Sequence, residues 1–477
     1  SESSLFADPA LQGPLSLWKQ ASLGDSLKQI ETLAAGHPEQ PRYGLAYVLL
    51  ADPATPRTAA HLERARGSAD RLSPVDRALL QAISPAFGDP GDPGLAFTRI
   101  MELARRSPNR VDLELLAAKF AIMSRDPRSF DAAQLVLSGQ AEAGVVLPFQ
   151  DFLRGVLLQR NKDLDAAMDA FRRCSHDGMG LTCAIREGFL LTTMGRCSDL
   201  RRRASDAIAR APASMEGYAM AVDGMYGEGS PAATIRGAAS MHASLLPPDT
   251  AAAAAHAYGA MLAIYEGDVA TSVREARAWY AKLPDSAASA TRMRAIDFLM
   301  RLLNETGARA EALSLLAAVE ADLGRRPRDA QRDNAAGLLA LHVLTGNADN
   351  DEFRLRRQLA KRDAQSRNDY GPGRLWMNYD AALASTPLEA AVAARTFPGL
   401  DAMPEPGSLD SLNVGKALLE GGRPGDAIPF LEQEANSCSL SRILHRLSAR
   451  RYLALALSRT GGPERACPAL SVPASLR

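Results

Sequence analysis

One arrangement recurs along this chain and limits it to one kind of architecture. In the segment Phe152 to Cys174, FLRGVLLQRNKDLDAAMDAFRRC, small Gly155 lies midway along one helix, Asn161-Lys162-Asp163 reads as a turn, and Ala167 and Phe171 follow on a second helix. Gly188 and the turn glycine Gly195 stand in the same relation 33 residues later. The pattern returns with Ala260, Gly267-Asp268, Ala276 and a terminating Pro284, then with Gly307, Ala312 and Leu316. It returns again with Gly415, Gly422, Ala427 and Leu431, and finally with Ala454, Gly461, Ala466 and Leu470. Weaker units centre near Val222, Leu339 and Tyr379, and earlier ones near Tyr47, Ser84 and Ala121. A lone helix hairpin cannot bury its apolar stripe, so such units must stack on one another, with the small residues letting helices approach closely.

This pattern resembles the tetratricopeptide repeat, in which a small residue marks the helix crossing, a Gly-Asp-type turn follows seven residues later, and a small and a bulky residue come next. The resemblance implies an all-α fold, a right-handed α-solenoid of about a dozen antiparallel helix pairs. It divides the chain into divergent repeats over residues 1–147 and clearer repeats over 148–477, expected to form one continuous superhelix. The stretch ADRLSPVDRALLQA, Ala69 to Ala82, also resembles repeat regions attached to bacterial serine/threonine kinases and winged-helix regulators. Local signals agree with helix pairs: Ser73 reads as an N-cap, Pro74 as the first helical residue and Asp76 as a complement to the helix dipole. Pro212, Pro284 and Pro387 punctuate units in the same way.

Composition narrows the function. Lys+Arg and Asp+Glu both total 55, giving zero formal net charge, which disfavours non-specific nucleic-acid binding. The most apolar run, Ala251 to Tyr265, is too short and too interrupted to span a bilayer. A soluble chain is therefore expected. The opening Ser1-Glu2-Ser3-Ser4 has neither Met nor a basic-then-apolar leader, which suggests a processed or trimmed form. An extracytoplasmic location is favoured if a leader or anchor has been removed, and a cytoplasmic one otherwise.

No motif announces catalysis. The seven histidines form no His-x-x-x-His pair, and the nearest ligand cluster, Cys174, His176, Cys183 and Cys197, lacks paired spacing, so no metal is expected. Cys174 ends one repeat and Cys183 opens the next, which makes them a candidate disulfide in an oxidising compartment. Cys438 and Cys467 form a second candidate pair. Gly224-Met-Tyr-Gly227-Glu-Gly229 lacks a following Lys-Ser/Thr and a preceding strand, so it reads as an inter-helix turn and not a phosphate loop. No nucleophile elbow is present. A sugar-active helical toroid would line its cleft with many aromatics, and three Trp in 477 residues argue against one. No cofactor is implied, and an enzyme is not expected.

The expected function is a protein-protein docking scaffold. In the family that the pattern resembles, the first helix of each pair lines a concave face that receives a partner's segment. Carried over unit by unit, that face includes Phe149, Phe152, Ile185 and Phe189 as an apolar strip; a register shifted by one would instead place these side chains in the core. Farther along it includes Asp297, Arg301 and Asn304, then Arg374, Trp376 and Asp380. The densest basic stretch, Arg354, Arg356, Arg357, Lys361 and Arg362, reads as a solvated helix face or, alternatively, a dock for an anionic partner. A ligand-sensing extracytoplasmic module of a signalling protein is the alternative function.

Overall fold

The computed structural model describes residues 4–51, 56–88, 91–107, 109–124, 127–175, 181–284, 289–326, 328–348, 350–366, 372–404, 410–461 and 463–470. Ser1, Glu2, Ser3 and the candidate ligand His176 lie outside these residues. Among the described residues the chain is helical, with no strand. The first ten α-helices are α1 Pro9–Lys19, α2 Leu23–Gly36, α3 Pro41–Leu50, α4 Pro56–Gly67, α5 Pro74–Ile83, α6 Pro93–Ala104, α7 Arg110–Met123, α8 Pro127–Glu142, α9 Pro148–Arg160 and α10 Leu164–Cys174. There follow α11 Leu181–Thr193, α12 Cys197–Arg210, α13 Met215–Gly227, α14 Ala232–Leu245, α15 Pro248–Tyr265, α16 Val269–Lys282, α17 Ser289–Glu305 and α18 Arg309–Gly324. The last are α19 Arg328–Leu344, α20 Asp351–Ser366, α21 Pro372–Leu375, α22 Pro387–Arg395, α23 Ser411–Glu420, α24 Pro424–Asn436, α25 Ile443–Arg459 and α26 Pro463–Leu470. Consecutive helices pack on one another, the antiparallel helix-pair arrangement that the repeat pattern implies.

The hairpins are closed by one backbone device. The first helix of a pair ends on a residue in the left-handed region, with φ of 68° at Gly195, 82° at Gly267, 75° at Gly307 and 84° at Gly422. The next amide then donates back across the helix end, Asp268 N to Ala263 O at 2.8 Å, Ala308 N to Leu303 O at 2.8 Å and Arg423 N to Leu418 O at 2.8 Å. This six-to-one hydrogen bond satisfies a carbonyl that the helix end would leave orphaned. Lys162 occupies the same place with φ 62°, so the Asn161-Lys162-Asp163 turn uses the same geometry without glycine. The following helix is then capped by Asp163 or Asp268, whose carboxylates accept from Ala166 N and Thr271 N.

The small residues sit where helices touch. A Cβ on Gly155 would come within 2.6 Å of the Phe171 ring, and one on Gly415 within 2.5 Å of Leu431. These are the glycines and bulky residues paired in the repeat pattern, and the contact explains both choices.

Two compact units divide the chain, residues 1–187 and 188–477. The division falls within α11. Unit 1 is centred on an aromatic chain in which Trp18 meets Phe149 at 5.0 Å, Phe149 meets Phe152 at 5.6 Å, and Phe152 meets Phe171 at 6.1 Å. The N-cap expected at Ser73 is present, accepting from Asp76 N at 3.1 Å. Asp76 does more than face a dipole: fully buried, it accepts from Leu5 N at 2.8 Å and pairs with Arg42 at 3.0 Å. In unit 2 the principal core joins α13 to α17 with Leu440 and Ile443 from far along the chain.

Candidate functional site

The residues that shape the site in unit 2 come from the connector after α24. Cys438 N donates to Thr192 O at the end of α11, and Cys438 is disulfide-bonded to Cys197 at the start of α12. Leu440 N donates to Asp223 Oδ1 of α13 at 2.8 Å. Arg446 stacks over the Tyr226 ring at 5.0 Å, and His445 Nε2 stands 3.6 Å from the Asp297 carboxylate of α17. The connector and the start of α25 therefore run across the first helices of successive pairs. Beside this crossing lies a cavity of about 770 Å³. A volume of this size falls in the range of small-molecule sites.

The cavity has an apolar body and two polar ends. Ala253, Ala257, Met261, Trp279 and Phe298 line it from α15, α16 and α17. At one end stand Asp223, His242 and Tyr258, with the Tyr258 hydroxyl sharing a 3.0 Å hydrogen bond with His242 Nδ1. Burial pushes the Asp223 carboxyl up to about 7, against the opposing effect of hydrogen bonds from Leu440 N–H and the Ser439 hydroxyl. Burial, with Asp223 adding to it, also raises the Tyr258 phenol and keeps it neutral. At the other end are Arg294, Asp297, Arg301, Arg442 and His445. Burial alone would raise Asp297, but Arg301 at 2.8 Å and His445 outweigh it and hold that carboxyl well below the usual range.

The expected site residues are distributed unevenly over this structure. Asp297 and Arg301 line the cavity, one helical turn apart on α17. Asn304 is exposed and does not line it. Phe149 and Phe152 are buried in unit 1, which corrects their assignment to a surface groove: α1 lies on α9 and covers them. Ile185 and Phe189 are exposed, at 41% and 40%. Trp376 is a second correction. It is 4% exposed, and its indole N–H donates to Ala393 O at 2.9 Å, so it anchors a core and cannot meet a partner. Arg374 is half-buried beside it. Asp380 is held by Lys361 at 2.6 Å.

The basic stretch on α20 is divided: Arg354 and Arg362 are exposed, as a solvated face requires, whereas the other three side chains are engaged within the fold. Arg356 pairs with Glu320 at 2.7 Å, and Arg357 donates to Tyr379 O at 2.7 Å and pairs with Glu389 at 3.3 Å. Together with Lys361 these side chains tie α20 to the neighbouring pairs.

The cysteines are also re-paired. A disulfide joins Cys174 to Cys183. The proposed Cys438–Cys467 pair is corrected: Cys438 bonds Cys197, and Cys467 is free and exposed. The three cysteines of the metal candidate are thereby taken up in two disulfides. Gly224 and Gly227 lie in α13, packed respectively against the Arg201 backbone and against Cys197 with Cys438, and Gly229 takes the turn conformation with φ 77°. Gly224 and Gly227 thus serve helix contact inside α13, which corrects the turn reading for them, and only Gly229 lies in the turn. Sequence reasoning missed Asp223, His242, Tyr258, Arg442 and His445. A lone Asp inside an otherwise apolar stretch, AMAVDGMYG, was the signal available for the first of them.

No family model matches this chain, and no curated protein matches it. Solved structures do. One is described as "Structure of Naa15/Naa10 bound to HypK-THB", with 12% identity, a TM-score of 0.28, and coverage of 82% of this chain and 62% of that one. The chain thus spans less than two thirds of that relative's length. So loose a superposition carries no argument, and the fold rests on the hairpin geometry described above. No helix among the described residues is long and apolar enough to cross a membrane.

Proposed function

We propose that this chain is a non-enzymatic binding module, a helical-repeat scaffold that receives its partner in the unit 2 cavity. The partner is a compact molecule or the end of a protein segment. The observation that carries this reading is the connector bearing Cys438 to His445, which crosses the first-helix side and leaves a bounded cavity with an apolar body and polar ends. The two disulfides support an oxidising compartment, in keeping with an extracytoplasmic sensing or docking role.

The test fills the cavity. Ala254 lines it and is only partly buried, so Ala254→Trp adds bulk there while sparing the close-packed core. A fragment collection is titrated against the native chain and this variant, with melting temperature and heat of binding as readouts. Fragments that stabilise the native chain should lose at least tenfold in affinity for the variant. Equal binding to both would sink the cavity as the site.

A further inference from the structure

The charges around the cavity are not balanced in the same way at its two ends. At one end the Asp297 carboxylate is engaged by Arg301 at 2.8 Å and His445 at 3.6 Å. Arg442 is engaged by Glu434 at 2.7 Å and by Asp410 at 3.7 Å. At the other end Asp223 receives the Leu440 amide and the Ser439 hydroxyl, but no Lys, Arg or His pairs with it among the described residues. Its neighbours Tyr258 and His242 satisfy one another. A carboxylate removed from water without a countercharge is costly, and a ligand cation supplies what the protein omits. The apolar body of the cavity suits the stem of such a cation: Trp279 and Phe298, whose rings lie 6.0 Å apart, line it with Ala253, Ala257 and Met261. Between Leu440 and His445 the 3₁₀ turn and the first turn of α25 run about 8–10 Å, so the two ends act on different parts of one ligand.

We propose that the cavity selects a ligand carrying a primary ammonium on an apolar body, with the ammonium seated on Asp223. This rests on the cavity being the binding site. Two sources share the chemistry: a free amine, or a lysine side chain of a partner segment.

Calorimetric titration at pH 7.5 with three probes of one shape separates the possibilities: 4-phenylbutylamine, 4-phenylbutan-1-ol and 4-phenylbutanoate. The amine should bind the native chain at least tenfold more tightly than the alcohol. Asp223→Asn, which keeps an acceptor for Leu440 N–H, should erase that preference while leaving the melting transition cooperative. Ala254→Trp should abolish binding of both. Amine and alcohol binding alike, and both lost in Ala254→Trp, would overturn the ammonium site while leaving the cavity site standing. Tightest binding of the butanoate would overturn it in favour of the end that bears Arg294. Binding of no probe would overturn the ammonium site and remove support for the cavity as well. A blocked Leu-Lys-Leu peptide decides the source, since affinity matching or exceeding that of the amine assigns the site to a partner's lysine and weaker affinity assigns it to a free amine.

Discussion

Asp223 shows how one residue can set both the chemistry and the stability of a site. Its carboxyl is raised from 3.8 to about 7, because burial outweighs the hydrogen bonds that it accepts. The folded state therefore holds this proton more tightly than the unfolded chain does. Its contribution is fully present below about pH 4 and is lost as pH rises through 7. Replacing Asp223 with Asn removes the titration. The native chain should thus lose more stability than Asp223→Asn between pH 4 and pH 8, by as much as ~4 kcal/mol. Denaturant midpoints across that range check it, and parallel pH profiles would count against the raised carboxyl. Trp376 teaches the opposite lesson at the same scale. An indole can be a partner's anchor or a core residue, and only the position of an acceptor such as Ala393 O distinguishes them.

Among elements, the hairpin was the most legible feature of the sequence. Gly155 with Phe171, Gly415 with Leu431, and the turn glycines Gly195, Gly267, Gly307 and Gly422 all lie within a few turns of one another, so local spacing is enough to reveal them. Gly267→Ala should cost about 1 kcal/mol or more, since a Cβ at φ 82° is strained even where space is open. A fall in melting temperature measures it, and an unchanged transition would contradict the turn geometry. What spacing could not reveal was any contact made from a distance. Phe149 is covered by Trp18 on a helix near the start of the chain, so a first-helix position became core. Near Trp376 the helix widens into a π-turn over Trp376–Ala381, which shifts the facing of side chains and leaves no mark in the apolar pattern. The cavity was illegible for the same reason, because Leu440 and Asp223 meet across 217 residues.

At the scale of the whole molecule, each unit carries its own disulfide, Cys174–Cys183 in unit 1 and Cys197–Cys438 in unit 2. Thiol titration of the denatured, unreduced protein should therefore find one reactive group, Cys467, and five after reduction. Five before reduction would remove both bonds. Cys197 and Cys438 are separated by 241 residues, and breaking so long a closure should lower stability by about 2–5 kcal/mol, read as a drop in melting temperature on reduction. That bond also changes how unit 2 bears load. Helical-repeat arrays extend under tension because each repeat contacts only its neighbours. In this chain a pull applied at Cys197 and Cys438 passes through a covalent link, and the helices between them feel none of it. Between those two cysteines unit 2 is a shackle where an open array would be a spring, and a reductant would let a pull at those points stretch it.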